Sequence, residues 1–145
     1  MDAAKKGKID TTGLNELLVA YDAYVSAYPT DTNSANYLFK EADFYRYMRK
    51  PQNSIVIYNN IYNNYPQYIK RPYALFLQGF IYENEIHNLD SAKAKYEMFL
   101  SVYPNHRIAK DVRITLASLG KSPEQIMAEF EARQNADSAM QSKAK

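Results

Sequence analysis

The sequence predicts an all-α fold of about seven antiparallel helices, and three observations predict it. Tyr-Pro occurs three times, at Tyr28-Pro29, Tyr65-Pro66 and Tyr103-Pro104, with the prolines 37 and 38 residues apart. Between these pairs the apolar residues advance in steps of three and four, the spacing of one helix face. A small residue recurs at the same two intervals, as Ala42, Gly79 and Ala117, where one helix would cross another. Self-similarity at this period is the mark of a stacked repeat, each unit burying its face on the next.

Residues 1–10 mix Lys5, Lys6 and Lys8 with Ala3, Ala4 and Gly7, show no apolar period, and read as a flexible tail. A single helical domain is expected over 11–138, followed by a frayed tail at 139–145. Its first helix is capped by Thr11 or Thr12 and carries Leu14, Leu17, Leu18, Tyr21, Tyr24, Val25 and Tyr28 on one face until Pro29 ends it. After the polar turn Asp31 to Ser34, a second helix runs to about Arg49 with Leu38, Ala42 and Tyr45 inward, and Lys50-Pro51 stops it.

A third helix opens at Gln52 or Asn53 and continues through Ile55, Tyr58, Ile61, Tyr62 and Tyr65 to Pro66. The β-branched run Ser54 to Tyr58 taken alone would pass for a strand. The helical period sustained to Tyr65, with Asn59, Asn60, Asn63 and Asn64 mostly on the other face, decides for helix. The fourth helix is entered at Pro72 and the fifth closes on Tyr103-Pro104, with a turn around His87 and Asn88 between them. A sixth carries Ile108, Val112, Leu116 and Leu119 and stops at Gly120. Ser122-Pro123-Glu124-Gln125 is a capping-box signature opening a seventh helix through Ile126, Met127 and Phe130, with fraying expected from about Asn135.

Composition narrows the function classes. The 145 residues contain no cysteine, so a disulfide framework, a thiolate nucleophile and a zinc knuckle all fall away. Eighteen basic residues against 16 acidic ones, scattered along the chain, do not make a nucleic-acid footprint. No apolar run approaches the ~20 residues of a membrane span. Fourteen tyrosines stand with no tryptophan. Each such ring buries ~150–250 Å² while keeping a hydroxyl to satisfy, so much of the core is expected to be tyrosine.

The stretch Ala74 to Pro104 organises the rest, with Leu75, Gln78, Gly79 and Tyr82 on its first helix and Ala92, Tyr96 and Phe99 on its second. The order L-x-x-Q-G-x-x-Y, A-x-x-x-Y, P resembles the tetratricopeptide repeat, over about Leu14 to Phe130. Its Tyr-Pro closures resemble repeats of bacterial cell-envelope proteins. The resemblance implies a short right-handed superhelix and a non-enzymatic scaffold for a protein or peptide partner, without cofactor or metal. A self-associating homodimeric module is the alternative. The place of residence is the bacterial periplasm or envelope if an upstream signal was removed, and the cytoplasm otherwise. The turn at His87 is one residue longer than the repeat pattern expects.

No catalytic constellation stands out. His87 and His106 occupy expected turns, read as solvent-exposed, with no second ligand at metal spacing. Glu83 and Glu85, two apart, diverge on a helix. The resemblance places the first helix of each unit along a concave groove. It assigns to that groove Asn36, Phe39, Asp43, Arg46 and Tyr47 from the first full unit, then Tyr73, Phe76, Phe80, Glu83 and Asn84, then Asp111, Ile114 and Ser118. Phe39 and Asp43 occupy places that hold lysine and asparagine in repeats that clamp a carboxylate, so an apolar or aromatic segment is the expected ligand there.

Overall fold

The computed structural model describes residues 11–144, so the expected tail at 1–10 lies outside them. Among the described residues there are seven helices and no strand: α1 (Thr11–Ala27), α2 (Thr32–Tyr47), α3 (Pro51–Asn64), α4 (Arg71–Ile81), α5 (Leu89–Val102), α6 (Ala109–Ser118) and α7 (Pro123–Lys143). From α1 to α6 each helix packs on the next in sequence, as a stacked array requires. The segment Ser54 to Tyr62 is helical, so sustained period outweighs local β-propensity.

The start signals act as their chemistry dictates. Asp31 caps α2 by accepting from the Asn33 N–H at 2.9 Å, Asn88 caps α5 by accepting from the Ser91 N–H at 3.0 Å, and the Ser122/Gln125 capping box opens α7. Two entries shift slightly from expectation. Pro51 itself begins α3, and Arg71 precedes Pro72 in α4, since a proline in the first turn lacks only an N–H that would have no helical acceptor.

Two crossings hold the units together. Ala42 on α2 meets Ser54 on α3, where the Ser54 hydroxyl donates to the Ala42 carbonyl at 2.6 Å. Gly79 on α4 lies against the ring of Tyr96 on α5, so close that a Cβ on Gly79 would stand 2.7 Å from Tyr96 Cε1. Around the first crossing, Leu38, Tyr58, Ile61, Tyr65 and Tyr68 are buried together. Around the second, Leu75, Ala92, Tyr96, Phe99 and Val112 form a contiguous cluster that also takes in Tyr62. Tyrosine does supply much of the core.

The first helix of every unit ends on a left-handed residue: Arg49 and His87, each with φ of 61°, and Gly120 with φ of 71°. Glycine reaches that conformation without a Cβ penalty, whereas the other two do so at a cost. The extra residue near His87 is absorbed upstream of it. α4 widens into a π-helical turn at Tyr82–Ile86, the form an inserted residue takes inside a helix, and the Asn88 N–H then bonds back to the Tyr82 carbonyl at 2.8 Å.

The ends depart from expectation. On α1 only Leu18 is buried, while Leu17 and, just past its end, Tyr28 are exposed, because among the described residues this helix has a neighbour on one side only. Ala117 is exposed and is not a crossing residue, and α7 is exposed along its whole length, including Ile126, Met127 and Phe130. α7 also continues to Lys143, past the expected onset of fraying at Asn135, through a stretch in which Ala136, Ala139, Met140, Gln141 and Lys143 are good helix formers.

Candidate functional site

The face formed by the first helices is built from rings held between polar residues. Phe39, Phe76, Phe80 and Tyr73 are all half-buried. Phe39 meets Tyr58 edge-on at 5.3 Å between centroids and lies under the Lys70 ammonium at 5.1 Å. Phe76 leans toward the core, 5.9 Å from Tyr96 and 6.4 Å from Phe99. Phe80, one turn on, lies 6.3 Å from Phe76 and carries the Arg46 guanidinium over its face at 5.4 Å.

Arg46 joins the two units. From α2 it reaches the π-helical turn and grips Glu85 Oε1 through Nε at 2.9 Å and Nη2 at 2.7 Å. This charge-assisted pair fixes the spacing of α2 and α4 across the face.

Three of the expected groove residues act chiefly as acceptors for buried tyrosines. Tyr58 donates to Asp43 at 2.6 Å, Tyr96 to Glu83 at 2.6 Å and Tyr68 to Asn36 at 2.8 Å. Burial first, and then the neighbouring carboxylate, push the Tyr58 and Tyr96 hydroxyls far above their ordinary value, so both stay protonated as donors. Asp43 and Glu83 are therefore partly committed to the fold.

The remaining candidates separate along the array. Tyr47 is 60% exposed and Asn84 is exposed with its amide donating to the Phe80 carbonyl. Asp111 and Ile114 are exposed on α6. Ser118 turns its hydroxyl back to the Ile114 and Thr115 carbonyls. Tyr73 packs on His106 at 5.4 Å. His106 is not the solvent-exposed turn residue expected, since Phe99 and Tyr103 also enclose it and its Nδ1 accepts the Ile108 N–H at 3.3 Å.

A hollow of about 710 Å³ opens at the C-terminal ends of α2 and α4. From α2 and its turn come Arg46, Tyr47 and Arg49, from the π-helical turn and its cap Asn84, Glu85 and His87, and from the start of α3 Pro51 and Gln52. Arg46, Tyr47 and Asn84, expected from the sequence on the groove, line this hollow. Arg49 and His87 were not assigned to it, although both precede the second helix of their unit at equivalent places, 38 residues apart.

Residues 73–106, which run from α4 through the π-helical turn and α5 to His106, match the family model of the tetratricopeptide repeat. This segment is similar to a tetratricopeptide repeat. Comparison with curated proteins and with solved structures finds no match. The matched segment holds the Gly79 and Tyr96 crossing and the Phe76 and Phe80 rings, and tetratricopeptide repeats generally serve protein–protein interaction rather than catalysis. Among the described residues no group of His, Asp and Glu could hold a metal ion. Among them too, no helix is long and apolar enough to cross a membrane.

Proposed function

We propose that this protein is an interaction scaffold whose first-helix face, on α2, α4 and α6, receives a segment of a partner protein. The observation that carries this reading is the row of half-buried rings, Phe39, Phe76 and Phe80, running into a hollow at which Tyr47 stands exposed. Half-buried rings beside an exposed one offer apolar contact at small ordering cost, the composition of binding hot spots.

Phe80→Ala tests it. Because Phe80 is only half-buried, the substitution should cost about 1–2 kcal/mol, well short of the ~3–5 kcal/mol expected for the fully buried Phe99→Ala. It should also abolish binding of a peptide selected against the folded protein. A Phe80→Ala protein that melts as low as Phe99→Ala would show the row to be core and remove the reading.

A second reading rests on a different observation. The first turns of α7 expose Ile126, Met127 and Phe130, the last by 58%, on a helix that buries no residue. Such a stripe suits a symmetric contact with a second copy. Light scattering decides: a dimer that Phe130→Glu converts to monomer supports self-association, and a monomer at micromolar concentration rejects it.

A further inference from the structure

We infer that the hollow between the ends of α2 and α4 is a carboxylate site, which takes an acidic side chain of the partner segment. This rests on the reading of the first-helix face as a docking surface and names the chemistry at its rim.

Charge is the first argument. Among the described residues Glu85 is the only carboxylate lining the hollow, and both hydrogen bonds of Arg46 already engage it. Arg49 is exposed and has no ion-pair partner among the described residues. Behind it a second hollow of about 370 Å³ shares Tyr47 and Arg49 and adds Lys50, again with no carboxylate among the described residues that line it. Among the described residues, internal pairing leaves the rim two cations and no anion.

Backbone geometry is the second. Arg49 is held left-handed by its own N–H to the Arg46 carbonyl at 3.0 Å and by the Lys50 N–H to the Tyr45 carbonyl at 2.8 Å. A residue with a Cβ pays for that conformation, so the inference runs from the outlier to a use for its side chain. Arg49 and His87, at equivalent places in two units, both line this hollow. The third unit, whose first helix ends away from it, has Gly120 there. A long side chain bearing nitrogen stands at this place where the hollow is, and glycine stands there where it is not. The start of α3 adds to the same field, since Lys50 gives its first turn no side-chain cap and Gln52 borders the space.

The rim also selects among anions. Glu85 inside the hollow disfavours a dianion such as phosphate, whereas a single carboxylate matches the planar guanidinium of Arg49. The exposed Tyr47 ring beside it, and Phe80 under Arg46, favour an acid next to an apolar residue.

The test is an amide-resolved NMR titration of the whole chain with acetyl-Asp-Phe-amide, acetyl-Asn-Phe-amide and inorganic phosphate. The expected result is saturable shifts at Arg49, Gln52 and His87 with the Asp dipeptide, at least about tenfold weaker with the Asn dipeptide, and likewise weakened by Arg49→Gln. One factor of ten corresponds to about 1.4 kcal/mol. Equal binding of the two dipeptides at these amides would overturn the carboxylate site and leave the docking face standing. Shifts confined to α7 would overturn both. Tighter binding of phosphate at the same amides would overturn the choice of a peptide acid, as would the lack of any saturable shift. The dipeptide comparison needs no variant, so it decides even if Arg49→Gln fails to fold.

Discussion

A tyrosine hydroxyl buried between helices needs an acceptor, and here the neighbouring first helix provides one for Tyr58, Tyr68 and Tyr96. Asn36, Asp43 and Glu83 were legible as polar residues of the first helices but not as residues already in use by these pairs. Sequence periodicity gives the direction of a side chain and cannot say which hydroxyl comes to meet it. Gly79 was legible as a crossing residue, and the structure identifies its opposite number as Tyr96. Gly79→Leu should therefore destabilise by about 2–4 kcal/mol, because Tyr96 is fully buried and has nowhere to move. A denaturant melt matching the parent would place the crossing elsewhere. Glu41 was not singled out by the sequence at all. It is 5% exposed, one carboxylate oxygen has no partner, and burial together with the Asp22 carboxylate facing it from α1 raises its pKa from 4.5 to about 7. Tyr45, whose own hydroxyl is pushed up chiefly by burial and then by Glu41, is the other titratable group facing it. Since the folded-state value lies above the unfolded one, folding takes up a proton between about pH 4.5 and 7. Stability from this group is full on the acid side and is lost as pH rises through 7. Glu41→Gln should match the parent near pH 4.5 and exceed it by about 1–2 kcal/mol at pH 8, a figure reduced for the screening of exposed Asp22. A parent and variant whose difference does not change with pH would contradict this.

At the scale of elements, the helices were legible because each keeps its apolar period between strong stop signals, as α3 shows between Lys50-Pro51 and Tyr65-Pro66. What was not legible was how one extra residue is accommodated. The chain could have lengthened the turn, and instead α4 widens at Tyr82–Ile86. The physical reason is visible in the contacts on either side. Gly79 must stay on Tyr96 and Glu85 on Arg46, so the residue is taken up between them. Deleting the exposed Asn84 should therefore convert the π-helical turn to ordinary α-helix and leave a cooperative fold, with a loss of about 1–2 kcal/mol from the disturbed Arg46 and Glu85 pair. Deleting the exposed Lys93 from the middle of α5 should abolish the cooperative melt, because Tyr96 and Phe99 would rotate off the core. Comparable melts for the two deletions would show that the turn is not an insertion.

For the whole molecule, the array has two full units with an incomplete one at either end, and the ends are where expectation and structure part. α1 carries the same helical period as the inner helices and α7 carries it over Ile126, Met127 and Phe130, yet α1 buries Leu18 alone and α7 buries nothing, since burial requires a neighbour that periodicity does not supply. The same holds for the face proposed to bind. Its aromatic residues could be read from the sequence, while the hollow depends on the turns bearing Arg49 and His87 being brought together by the Arg46 and Glu85 pair. The most direct test of that face is to select peptides from a random displayed library against the folded chain and map the winners by backbone amide shifts. The account predicts shifts concentrated on α2, α4 and the π-helical turn, including Tyr47, Phe80 and Asn84. Selected peptides that map instead to Ile126, Met127 and Phe130 on α7, or to the outer surface of α3 around Val56, would contradict it.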